Sequence, residues 1–483
     1  MKISNQEDVK KSLEGTVGIL PGEEIEIKNE TKLKDELIDK LVFEATFNQD
    51  KEAADLCRRL IKNIAAKKGI VLGSVYEYYK KKASDKRKFT VPAINVRGMA
   101  YNTARAIFEA VKKDKVTALI LEIAKSEIEY TGQRPKEYTT SVLAAAVKED
   151  YQGLLFLQGD HFQINSDKYK LNPEEEREKI KKLIREAIEA GFYQIDLDMS
   201  TLVDWSKEDN EAQQIKNHQE TALLTAYVRD LEKELKLDKL GIVINLGGEI
   251  GEIGKGIKGR NSTSEDLRAF MKGYLKELDI LSKEKGCKIN GLTKIAVQSG
   301  TQHGGIRDEK GNLIKGVKVS FNTLAELGKV AREEYGLAGV VQHGASTLDP
   351  RCFVLFAGYP SPNGFEISEE LLTKENVKIL SENPAVEVHL ATAYQDTILD
   401  HPKFPKELAQ EIKKWVLDNF PPKEGEDSEK AYINNRKNAW GPFKSKLWNL
   451  PPEVQEDLRK TLARQFSESV FKNLGVQNLN FIG

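Results

Sequence analysis

From about Lys88 onward, short apolar runs alternate with amphipathic stretches. FTVPAINV leads into MAYNTARAIFEAVKKD, and TALILEIA is followed by TSVLAAAVKED. GLLFLQGDH is followed by a charged helix that begins near Glu174, and FYQIDLDMS precedes HQETALLTAYVRDLEKEL. GIVINLGGEIG, TKIAVQSGTQHGG, GVVQHGAS and AVEVHLAT complete the series, with helical spacing between them. Roughly eight strand-then-helix units of this kind predict an α/β fold, a TIM (β/α)8 barrel rather than an open sheet. Between Glu30 and Lys68, charged residues alternate with Leu, Ile, Val and Ala at helical spacing, with no strand-like run. Residues 1–73 are therefore read as a helical N-terminal extension that covers the barrel, and 74–396 as the catalytic barrel. Residues 397–483 form a helical C-terminal extension with a last helix from Pro452 to Asn473, and subunit contact is its expected role.

The length of 483 residues accommodates such a barrel with extensions. Lys and Arg total 74 against 75 Asp and Glu, so the chain has no global field to attract nucleic acid or an acidic membrane surface. No apolar run approaches the length of a membrane span, and MKISNQEDVKKSLEG lacks the apolar core of a signal peptide. Three cysteines, Cys57, Cys287 and Cys352, form neither a disulfide framework nor a metal knuckle. The expectation is a cytoplasmic protein with no nucleic-acid or membrane partner.

In a barrel, chemistry gathers where the strands end and their following loops converge. Those positions hold Asn95, Glu122, Asp160 with His161, Asp198 with Ser200, Glu249, His303 with Gly304, His343 through Ser346, and His389 with Thr392. Four of the six histidines fall there. Three imidazoles on one divalent ion leave a coordination position open for a substrate oxygen. Neighbouring residues leaving a strand point in different directions, so one of Asp160 and His161 is expected on the metal and the other free for proton transfer. A carboxylate that merely orients an imidazole is the alternative reading of Asp160.

Gly254 to Gly259 formally match GxGxxG. Their place late in the chain, Lys255 and Lys258 within them and the polar continuation after Arg260 suit a glycine loop better than a dinucleotide turn. Lys255, Lys258 and Arg260 are candidates to close over an anionic substrate, a solvated surface loop being the alternative.

Taken in order, the strand motifs VPAINV, LQGDH, IDLDMS, GGEIGEIG, TQHGG, VVQHGAS and VHLAT resemble those of the class II, metal-dependent ketose-bisphosphate aldolases, from roughly Ser74 to Gln395. The resemblance implies Zn2+ or another divalent metal on His161, His303 and His343, with Glu249 near it at a second or alternate site. It assigns Asp160 as the acid/base on the substrate C4 hydroxyl. It places the amides of Gly304 and Gly344, the Ser346 hydroxyl and Thr392 around a phosphate, and Asn95 facing the substrate. A homodimer or homotetramer is implied as well. Asn434, Asn435 and Arg436 resemble an Asn-Pro-Arg segment, from which Arg436 is a candidate for a phosphate across the subunit boundary. The sequence departs from the family at His389, which stands where the final motif has Asn and is carried as a substrate-facing residue. It departs also at Ala124, near a phosphate-binding Ser, and at the basic loop, where acidic residues are usual.

The expected function is a metal-dependent lyase of carbohydrate metabolism, of glycolytic type. It would cleave a phosphorylated ketose, such as fructose 1,6-bisphosphate, reversibly through a metal-stabilised enediolate, with ketose and triose phosphates as partners. Reprotonation needs a second acid, for which Glu252, His389 or water are candidates. The alternatives are a metal-dependent sugar-phosphate epimerase or isomerase using the same enediolate, and a non-catalytic aldolase-like subunit.

Overall fold

The computed structural model describes residues 3–251, 260–300 and 319–481. Eight parallel strands form the centre: Val91–Asn95 (β1), Ile120–Ala124 (β2), Gly153–Gln163 (β3), Gln194–Asp198 (β4), Asn245–Glu249 (β5), Lys294–Ala296 (β6), Val340–Gln342 (β7) and Glu387–Leu390 (β8). Each pairs with its neighbour in the chain, and β8 closes onto β1 with Glu387 opposite Val91 and Leu390 opposite Ile94. This is a TIM barrel. Every residue of β1, β2 and β5 is buried. Strands covered on both faces have no solvent side to select polar residues, so VPAIN of β1 and ILEIA of β2 are nearly continuous apolar runs without alternation.

Helices surround the barrel, and their ends follow from local chemistry. Asp209 caps Asn210–Glu234 through Ala212 N, and Thr263 with Asp266 forms a reciprocal capping box on Ser264–Lys285. Ser320 caps Phe321–Glu333. Among the described residues, no helix is long and apolar enough to cross a membrane.

The N-terminal segment departs from the purely helical reading. Ile38–Phe47 and Lys51–Lys67 are helices, but Val17–Ile19 and Ile25–Ile27 form an antiparallel hairpin. Ile70–Leu72 adds a parallel strand outside the barrel, against Gly153–Leu155 of β3. Runs of three residues are too short to show a period, so only their partners could reveal them.

The C-terminal segment packs on its own barrel. Thr90 N donates to Leu474 O, Asn478 N donates to Asp114 O, and Phe481 packs 5.8 Å from the Phe89 ring. The last helix, Pro452–Gln465, runs on into a wider π-helical turn, Phe466–Phe471. Trp440 lies so close to Gly98 that a β-carbon there would stand 2.3 Å from its ring.

Candidate active site

The site is organised by an irregularity in β3. Gln158 and Gly159 pair with Gln194 and Ile195, but Phe162 and Gln163 pair with Leu197 and Asp198, so Asp160 and His161 together oppose Asp196. This is a β-bulge, and His161 occupies its left-handed position at φ +43°. Bulges re-aim side chains beside active sites, and a non-glycine residue in that region is held there by its surroundings. The two neighbours therefore enter one cluster, contrary to the divergence expected for consecutive residues of a regular strand. Asp160, His161 and His343 present ligand atoms within 4.8 Å of one another.

His161 Nε2 lies 2.7 Å from His343 Nδ1 and 3.8 Å from Asp160 Oδ1. Its Nδ1 faces away, 2.9 Å from Asp198 Oδ2 and 3.2 Å from Glu249 Oε2. A carboxylate at Nδ1–H fixes the tautomer and leaves the Nε2 lone pair toward the site, the usual arrangement behind a metal-bound histidine. Two imidazole nitrogens on one tetrahedral ion at about 2.0–2.1 Å stand about 3.3 Å apart, so the rings need to open by less than about 1 Å. His389 stacks on His343 with ring centroids 4.1 Å apart, and its Nδ1 lies 3.2 Å from both Asp160 Oδ1 and Glu122 Oε1. Asn95 Nδ2 donates to Asp160 Oδ2 and to Glu127 Oε2, each at 3.0 Å.

Charge follows from this crowding. Burial alone would raise Asp160, yet the His161 and His389 imidazoles hold its carboxyl well below the usual range. Burial would lower His161, but Asp160 and Glu249, with the Asp198 hydrogen bond, hold it well above the ordinary histidine value. Burial and the neighbouring Asp198 push Glu249 up to about 8. The carboxylates thus favour positive charge between the imidazoles, and a divalent ion satisfies the same demand while displacing protons. The donor set fits a divalent metal.

Above the cluster is a cavity of about 300 Å³. Of the candidate residues, Asn95, Asp160, His161, Glu249, His343, Gly344, Ser346, His389 and Thr392 all line it. Gly344, at φ +69°, turns the chain into the short 3-10 helix Ala345–Thr347, and Ser346 Oγ accepts from Ala393 N at 3.4 Å. His303, Gly304, Lys255, Lys258 and Glu252 lie outside the described residues. Arg260 does not line the cavity: its Nη2 lies 2.7 Å from both oxygens of Asp266, tying it to the start of the next helix. Arg436 is buried and paired with Asp396 and Asp400 of its own chain, which occupies its charge away from the cavity.

The family model described as fructose-bisphosphate aldolase class-II matches residues 77–420. The chain belongs to this family. No curated protein sequence matches it. Among solved structures it is similar to a fructose-bisphosphate aldolase from Campylobacter jejuni, at 16% identity over 85% of this chain and 97% of that one, TM-score 0.44. It is similar also to a fructuronate-tagaturonate epimerase from Cohnella laeviribosi, at 13% identity over 81% of this chain and 82% of that one, TM-score 0.49. A probable tagatose 6 phosphate kinase from Sinorhizobium meliloti 1021 is likewise similar, at 12% identity over 80% of this chain and 97% of that one, TM-score 0.49.

Class-II aldolases are generally dependent on a divalent metal, and this chain offers a histidine and carboxylate cluster of the right kind. The cavity also holds cations that strand-end reading passed over. Arg97 and Lys125 stand two and one residues beyond the ends of β1 and β2, and Lys437 reaches in from the C-terminal segment. Arg97 is paired with Glu127. The first two were within reach of the strand-end rule, whereas nothing in the local sequence of Lys437 marks it.

Proposed function

We propose that this chain is a metal-dependent lyase performing reversible aldol cleavage of a phosphorylated ketose. The observation that carries the reading is the convergence of Asp160, His161 and His343 at the bulged end of β3, in a chain of the class-II aldolase family. His161 and His343 would hold the ion, with His303 as the third ligand and Asp198 and Glu249 orienting His161. A divalent ion there supplies electrophilic stabilisation for negative charge on a substrate oxygen.

Asp160 is kept ionised beside the open cavity, so its carboxylate can take the proton of the C4 hydroxyl while the C3–C4 bond breaks. Asn95 holds the other Asp160 oxygen and fixes its direction. His389, 3.2 Å from Asp160, would be the group that returns a proton to the three-carbon fragment. Ser346, Thr392 and the backbone at Gly344 would take one phosphate, and Arg97, Lys125 and Lys437 provide positive charge elsewhere in the cavity. A second reading, epimerisation without carbon–carbon cleavage, is favoured by the same pairing of Asp160 with His389, which sets two proton-transfer groups side by side.

Metal-loaded protein incubated with a panel of ketose mono- and bisphosphates, with products identified by mass and by triose-phosphate coupling, separates the readings. Triose phosphate from a ketose phosphate is expected. A product of unchanged mass establishes the epimerase, and no product from any substrate overturns both.

A further inference from the structure

Beneath His389 the barrel interior is charged. Lys294 of β6 is fully buried, with Nζ 2.8 Å from Gln158 Oε1 of β3, 3.0 Å from Asp196 Oδ1 of β4 and 2.5 Å from Glu387 Oε1 of β8. An ammonium has three N–H donors, and acceptors on three different strands take them. The space is built for this pair: a β-carbon at Gly247 would lie 2.3 Å from Asp196 Oδ1 and 2.9 Å from Lys294 Cε. A charge so deep persists only with such partners.

Glu387 passes the arrangement upward. Its Oε1 also accepts from Gln158 Nε2 at 2.7 Å and lies 2.7 Å from His389 Nε2, while Tyr79 donates to its Oε2 at 2.5 Å. Held by these donors as a carboxylate, Glu387 can only accept, so His389 presents Nε2–H to it. The other ring nitrogen is thereby turned to Asp160. Moreover, Glu122, Asp196, Glu387 and His389 offer ligand atoms within 4.8 Å of one another, a donor set that suits a divalent ion. The ammonium of Lys294 already touches two of those carboxylates.

We propose that Lys294 is a positioning residue, a fixed internal cation that takes the place of a second divalent ion in this cluster and, through Glu387, holds the His389 imidazole against Asp160. The proposal rests on the metal-dependent reading above for its effect on turnover, but its effect on metal content is read without any substrate.

Two variants test it. Lys294→Ala opens the cluster, and in equilibrium dialysis against Co2+ it should take up one more ion per chain than the wild type. An unchanged ion count overturns the internal-cation role. Lys294→Met with Glu387→Gln removes the ammonium together with one of its two carboxylates; the remaining Asp196 carboxyl, which burial already raises to about 6, can take up a proton instead of standing as a bare buried charge. This double variant should melt near the wild type and keep its metal, yet lose kcat by on the order of 10- to 100-fold with KM changed by less than about threefold. Wild-type kcat in a stable double variant overturns the positioning role, and the double variant decides that role even if Lys294→Ala does not fold. A wild type that binds metal but converts no sugar phosphate defeats the proposed reaction, while the ion count of Lys294→Ala still reads the cluster.

Discussion

Replacing Lys82 by Met should make the protein more stable at neutral pH, by an amount that shrinks as pH rises. Lys82 is buried at 1% exposure near the start of β1, with Nζ 3.3 Å from the carbonyls of Arg87 and Phe89 and 3.4 Å from the centroid of the Phe89 ring. Burial, reinforced by the nearby Arg332, lowers its ammonium from 10.5 to about 7. The unfolded chain therefore binds this proton between pH 7 and 10.5 while the folded chain does not, and stability rises with pH across that window. Below pH 7 both states carry the charge and the full penalty applies. At about 1.36 kcal/mol per pH unit the penalty is at most about 5 kcal/mol. Methionine abolishes it but forfeits the carbonyl hydrogen bonds, about 1–2 kcal/mol, and below pH 7, where the folded lysine is charged, the cation–π contact as well. Urea denaturation of both proteins from pH 6.5 to 9.5 should show Lys82→Met ahead by a few kcal/mol at the acid end and nearly level at the alkaline end. A stability difference that stays constant across this range would falsify the assignment of an ammonium whose burial costs more than its contacts return.

Asp160→Asn should keep its metal and lose turnover by on the order of 10²–10⁴, as for a positioned acid/base group; loss of metal together with activity makes Asp160 a support for the ion instead. Asp198→Asn, which weakens the partner of His161 Nδ1, should lower metal affinity by about 10- to 100-fold in a competition titration with a chelator, and an unchanged affinity removes that role. Gly247→Ala forces a methyl onto the Asp196–Lys294 pair and should destabilise by about 1–3 kcal/mol, checked by denaturant midpoint; a neutral result means the pair can shift aside. Ser346→Ala should raise KM for a phosphorylated substrate more than it lowers kcat, and the reverse pattern would place the hydroxyl at the reacting atoms.

Much of the fold is written locally. Buried parallel strands require apolar runs such as VPAIN and ILEIA, and helices between them require one apolar stripe, so the repeat of these patterns specifies a barrel without any long-range information. Strand ends are equally local, and that is why Asn95, Asp160, His161, His343 and His389 could be found by position alone. The buried Lys294 and Glu387 also left a trace, as charges at the first positions of β6 and β8.

Tertiary structure alone decided where those groups point and what they meet. A bulge depends on the register of two strands, so the convergence of Asp160 and His161 is invisible in LQGDH itself. The salt links that withdraw Arg260 and Arg436 from the cavity join residues 6 to 40 positions apart, and Lys437 comes to the cavity from a segment that follows the last strand. The tail seals its own barrel because Trp440 and Phe481 find apolar partners there. Local sequence sets which residues are apolar, charged or capped over a few turns, whereas contact between distant segments is set by how the closed sheet brings its strands and loops around one axis.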